Sequence, residues 1–159
     1  MKLYLVGIAI VLTGIVASCK KTKNNNKLPV ITFQGLDSNT VVSGASNDTV
    51  FIHFQVVDGD GDIAHVKDNS NNTDRDIFIK DSRTGEVLQY WYPDIPSGTI
   101  NPDEGVNAFV TLKVLGAFIS TRLDHPLGDT LTYDLYVKDR AGNQSNVITT
   151  PKIYILPTP

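Results

Sequence analysis

Cysteine occurs once in this 159-residue chain, at position 19, and that scarcity removes several chemistries at the outset. No disulfide can form within one chain, no Cys-x-x-Cys redox or zinc motif exists, and a compact fold must rest on its hydrophobic core. Glutamate is nearly as scarce, with only Glu86 and Glu104. The three histidines, His53, His65 and His125, lack the i, i+4 pairing that helical zinc sites use. His53 falls on the solvent face of a predicted strand and reads as a solvated side chain. The motifs H-E-x-x-H, G-x-S-x-G, G-x-G-x-x-G and the P-loop are all missing. Nothing sets two carboxylates across a cleft for glycoside hydrolysis, so the chain reads as non-enzymatic. No apolar run reaches the ~20 residues that a membrane-spanning helix needs.

Positive charge is also short over most of the chain. Lys2 and four lysines between 20 and 27 account for five of the 14 basic residues, leaving nine against 17 acidic ones. Residues 28 to 159 therefore carry a formal charge near −8. Such a surface repels phosphate backbones and excludes nucleic acid as a partner, while it attracts cations.

What is present begins at the amino terminus. Lys2 precedes an apolar stretch from Leu3 to Ile15, then small residues, then the only thiol. These are the n-region, h-region and small-residue site of a secretory signal. The tetrapeptide Val16-Ala17-Ser18-Cys19 resembles the lipobox of bacterial lipoproteins. That resemblance implies a signal peptide over residues 1–18 and a covalent lipid on Cys19. The protein is then expected in the bacterial cell envelope, anchored to the outer membrane by acyl chains worth ~0.8 kcal/mol per buried methylene. Residues 20–27, Lys-Lys-Thr-Lys-Asn-Asn-Asn-Lys, contain no apolar residue, so 19–27 reads as the lipidated cysteine and a flexible tether. The basic residues after Cys19 lean toward the periplasmic face, since the surface-export signal familiar in Bacteroidota lipoproteins is acidic.

Residues 28–159 alternate with period two. Val50, Ile52, Phe54 and Val56 interleave with Thr49, Phe51, His53 and Gln55. The same pattern recurs at Ala108, Val110, Leu112 and Val114, and at Leu131, Tyr133, Leu135 and Val137. One buried and one wet face per strand is the signature of antiparallel sheets. Further strands are expected over 30–33, 40–42, 76–80, 87–92 and 147–155, with one helical turn between 115 and 122. Turn-forming groups separate them: Asp58-Gly59-Asp60-Gly61, Arg83-Thr84-Gly85, Pro96-Ser97-Gly98 and Ala141-Gly142-Asn143. The pattern predicts an all-β antiparallel sandwich of seven or eight strands. Within it, Leu131 to Asn146, with its Asp139-Arg140-Ala141-Gly142-Asn143 turn, resembles the last hairpin of bacterial immunoglobulin-like domains. That makes the expected sandwich immunoglobulin-like.

Asp58-Gly59-Asp60-Gly61-Asp62 is the sharpest chemical constellation. Three carboxylates at alternate positions on a glycine-permitted turn converge hard oxygens on one cation, as Ca²⁺ requires. Ile63 and Asn69 stand where an EF-hand loop needs glycine and glutamate, so the loop is not an EF-hand. The run from Phe54 to Ile63 resembles a feature of small immunoglobulin-like or cadherin-like lipoproteins from Bacteroidota. In cadherin-like domains acidic loops at one end of a sandwich bind Ca²⁺ with ligands from other loops, which makes Asp139 and Asn143 weaker partner candidates and leaves Asp74 and Asp76 open. The alternative is a tight turn with solvated carboxylates, although like charges within one turn repel.

Tyr90-Trp91-Tyr92-Pro93 is the densest aromatic run, and within a strand Trp91 points away from Tyr90 and Tyr92. Core packing is expected, as for the buried tryptophan of many sandwiches. A platform for a glycan or an envelope protein is the other reading. Two roles stay open: a Ca-stabilised, lipid-anchored binding or adhesion module, or a structural subunit of an envelope complex. The chain runs out at Ile155-Leu156-Pro157-Thr158-Pro159, straight after the final expected strand, which weighs against a spacer.

Overall fold

A computed structural model describes residues 27–63, 75–92 and 105–158. The signal segment, Cys19, most of the tether, Asp74, His65 and the turn at Pro96-Ser97-Gly98 lie outside them.

Among the described residues ten strands form in place of the seven or eight expected, and the only helical element there is a 3-10 turn at Gly116–Phe118. The first sheet joins β1 (Val30–Leu36), β3 (Thr49–Asp58) and β6 (Val106–Leu115), in the order β1-β3-β6. A second sheet joins β4 (Ile77–Asp81), β5 (Val87–Tyr90), β8 (Tyr133–Val137) and β9 (Ile148–Thr149), in the order β5-β4-β8-β9. A small third sheet sets β10 (Ile153–Leu156) between β2 (Thr40–Val42) and β7 (Asp129–Leu131). Within the described residues every pairing is antiparallel except β2 with β10. The chain is an all-β sandwich of immunoglobulin-like class.

The extra strands arise where the chain changes sheet. The predicted strand over 131–137 breaks at Thr132: Leu131 belongs to the third sheet, and Tyr133 opens β8 in the second. The predicted strand over 147–155 breaks near Pro151, which has no N–H to offer a ladder. Thr150 fastens this corner: its N–H donates to the Tyr133 carbonyl at 2.9 Å, and its hydroxyl accepts from the Tyr133 N–H at 2.9 Å. The break at Thr132 keeps the inward phase, with Leu131 and Tyr133 both buried, whereas the break near Pro151 shifts it by one residue, from Ile148 and Thr150 to Ile153 and Ile155.

The alternation read from sequence is the burial pattern. Val50, Ile52, Phe54 and Val56 of β3 face Ile77 and Ile79 of β4 and Tyr133, Leu135 and Val137 of β8 in one core. Each such side chain contributes about 1.5–3 kcal/mol when fully buried. A side-chain amide ties the layers at one margin. Asn146 Oδ1 accepts from the Ile31 N–H at 2.8 Å, and Asn146 Nδ2 donates to the Ile31 carbonyl at 2.9 Å. His53 is not merely solvated: its ring bridges Asp37 at 2.8 Å and Thr111 at 3.0 Å on the outer face of the first sheet.

Candidate metal centre

The inward phase of β3 does not stop at Val56. Two residues on it reaches Asp58, which is 1% exposed although it ends the strand. The inward phase of β8 runs Tyr133, Leu135, Val137 and then, one step past the strand, Asp139, which is also buried. β3 and β8 lie in different sheets, so these two acids meet across the sandwich at one end. Asp62, on the bend that follows β3, completes the group. One oxygen each from Asp58, Asp62 and Asp139 lies within 4.8 Å of the others.

Backbone contacts hold the two segments in register. The Arg140 N–H donates to the Asp62 carbonyl at 3.0 Å, joining the acidic bend to the turn after β8. Gly61 and Gly142 adopt positive φ of 75° and 84°, which lets each turn fold tightly. Gly105, with φ of 69°, packs the start of β6 against the bend: a Cβ there would lie 2.4 Å from the Asp58 carbonyl oxygen.

The electrostatics are unbalanced. Both carboxylate oxygens of Asp58, one of Asp60 and one of Asp62 are buried without a hydrogen-bond partner. Burial, followed by the charges of Asp60 and Asp62, pushes the Asp58 carboxyl up from 3.8 to about 6. Asp62 is raised by burial and then by Asp139 and Asp60. Buried carboxylates in native proteins are paired, hydrogen-bonded or bound to a metal, and what the backbone of Asp62 and Ala141 offers here is outweighed by burial and by the neighbouring charges. Hard oxygens from separate loops, converging with net negative charge, suit a divalent cation that prefers oxygen.

The predicted members divide into distinct roles. Asp58 and Asp62 lie in the cluster and Asp139 joins it, while Asp60 stands beside it with one unpartnered oxygen. Asn143 is not brought in as a ligand. It binds Asp139 instead, through its backbone N–H at 2.7 Å and its side-chain Nδ2 at 2.8 Å. Asp76 is buried nearby, its Oδ2 accepting the Tyr92 N–H at 3.1 Å.

The aromatic run resolves differently from the core reading. Its buried member is Tyr92, whereas Trp91 is 61% exposed with the Arg75 guanidinium 4.2 Å from its ring centroid. Alternation put Trp91 opposite Tyr92, and the core claimed the tyrosine. Burial, with the charges of Asp76 and Asp58, pushes the Tyr92 phenol well up. Leu88, Gln89, Tyr90, Trp91 and Phe118 line a shallow cleft of 380 Å³ along the β5 edge. No helix among the described residues is long and apolar enough to cross a membrane. No protein-family model matches the chain, and no curated protein matches it.

Proposed function

We propose that this protein is a lipid-anchored, non-enzymatic module of the bacterial cell envelope whose sandwich is closed at one end by Ca²⁺. The observation that carries the cation is Asp58, a wholly buried carboxylate with both oxygens unpartnered and two further acids within ligand distance. Asp58, Asp62 and Asp139 would be direct ligands, with Asp60 supplying charge or a further oxygen. The ion would neutralise like charges and staple the β3 end to the β8 turn, joining two sheets that no disulfide can link. Anchoring rests on the Val16-Ala17-Ser18-Cys19 tetrapeptide and the tether behind it.

The module's role is binding or adhesion, with a glycan or an envelope protein as partner. The exposed Trp91 and Phe118, with the half-buried Tyr90 between them and the core along the β5 edge, support this over a purely structural subunit. An exposed indole retained beside a cation–π partner gives apolar contact area with little ordering of its own.

Calorimetric titration of Ca²⁺ into the chelator-treated protein tests the cation. Saturable heat and a raised melting temperature, both absent in Asp58→Asn, are expected; no heat and no thermal shift would remove Ca²⁺ from the reading. Mass spectrometry of the envelope form tests the anchor, which fails if residue 19 carries a free thiol.

A further inference from the structure

Tyr90, Trp91 and Tyr92 are consecutive aromatics with unlike surroundings, and only Tyr92 turns inward at the acidic end of the sandwich. It shares the phase of Leu88 and Tyr90 but lies beyond β5, and it is 8% exposed. Its backbone is fastened there by the bond from its N–H to Asp76 Oδ2. Its hydroxyl is buried and has no hydrogen-bond partner. The carboxylates whose charges it feels are Asp76 and Asp58.

A buried tyrosine normally finds a partner for its O–H, which both donates and accepts. Here the deficits on the two sides are complementary. Asp58 presents two acceptor oxygens without donors, Asp60 and Asp62 present one each, and Tyr92 presents one hydroxyl without a partner. No direct bond joins the phenol to these carboxylates. A water molecule between them would supply both sides, since a polar site with several unsatisfied partners holds buried water. A hard cation among carboxylates retains part of its shell as water, so such a site draws its remaining ligands from solvent.

Resting on the reading that Asp58, Asp62 and Asp139 bind Ca²⁺, we infer that Tyr92 forms the outer wall of that centre, its hydroxyl positioning a cation-bound water against Asp58. Tyr92 is a positioning residue and does not touch the ion. Its phenol oxygen accepts one hydrogen of the bound water, whose other hydrogen is donated to Asp58. The site thereby draws on three separate segments: the β3 bend, the β8 turn and the residues that follow β5.

Tyr92→Phe keeps the buried ring and deletes only the oxygen. Outer-shell partners of metal sites are worth 10- to 100-fold in affinity, so the Ca²⁺ dissociation constant measured by calorimetry is expected to rise by that factor. The melting temperature in EDTA is expected to hold or rise, because an unpartnered buried hydroxyl has gone. Unchanged Ca²⁺ affinity, whether or not the EDTA melting temperature falls, overturns the inference and leaves the cation site standing. If the unsubstituted protein binds no Ca²⁺, the site and the inference fall together. On the unsubstituted protein, tyrosine labelled with ¹³C at Cζ gives a second readout. The Tyr92 resonance is expected to shift on adding Ca²⁺, and an unmoved resonance also overturns the inference.

Discussion

Asn143 grips Asp139 with both of its nitrogens, the backbone N–H on Oδ1 at 2.7 Å and the side-chain amide on Oδ2 at 2.8 Å. A carboxylate held at both oxygens is restrained from rotating, which keeps one of its oxygens within 4.8 Å of those of Asp58 and Asp62. Asn143→Ala removes one of these charge-assisted bonds and leaves the backbone one. A loss of about 1–2 kcal/mol in stability and a tenfold or greater rise in the Ca²⁺ dissociation constant are expected. Chemical denaturation and calorimetry measure the two separately.

Asp58→Asn separates the charge from the fold. In EDTA the variant is expected to melt higher than the unsubstituted protein, because an unpaired buried charge has been removed. In millimolar Ca²⁺ the order reverses, since the variant loses a ligand. Scanning calorimetry under both conditions shows the crossing, and two parallel curves would count against a cation at this end.

The pH dependence of the metal-free protein has a definite sign. The Asp58 carboxyl titrates near 6 when folded and near 3.8 when unfolded, so the folded state binds its proton more tightly. Stability in EDTA is therefore expected to fall as pH rises from about 4 through about 6, and then to level off. Asp81 and Asp129, held low by hydrogen bonds and by the charges beside them, contribute stability that is lost only below that window. Denaturant midpoints across pH 4–7 check the slope, which Asp58→Asn should flatten.

Gly105→Ala tests the seat of the acidic bend. The new Cβ meets the Asp58 carbonyl oxygen at 2.4 Å, on a backbone whose φ of 69° already disfavours a side chain. Destabilisation of roughly 1–3 kcal/mol is expected from the conformation alone. Weaker Ca²⁺ binding should accompany it, because the bend must shift.

At another site, Arg83 joins Asp81 at 2.6 Å and Asp129 at 2.8 Å with its side chain almost wholly buried. Arg83→Met leaves Asp129 buried with Arg122 as its remaining ionic partner, at 3.1 Å. About 3 kcal/mol should be lost, the lower end for breaking a buried pair, with Ca²⁺ affinity unchanged.

The fold class was legible because period-two alternation reports directly on burial: Val50 to Val56 and Tyr133 to Val137 are buried on the predicted face. The same alternation already held the centre. Extending it by one step from Val56 reaches Asp58 and from Val137 reaches Asp139, two acids in phase with a core. What alternation does not carry is which strand ends share one end of the molecule. That hid Asp139 as a full member, Asn143 as its holder and Tyr92 as a neighbour. The sheet change at Thr132 was equally hidden, because phase continues through it, whereas near Pro151 the inward positions move from Ile148 and Thr150 to Ile153 and Ile155, a shift of one residue.

From the linear order of residues alone come the all-β class, the inward face of each long strand and the acidic composition of the bend, since all three depend on neighbours in the chain. Only the tertiary structure decided that Asp58 and Asp139 face each other, that Trp91 lies outside and Tyr92 inside, and that one asparagine holds one aspartate. These depend on which strands pair across two sheets, and that pairing is chosen by the packing of the whole core.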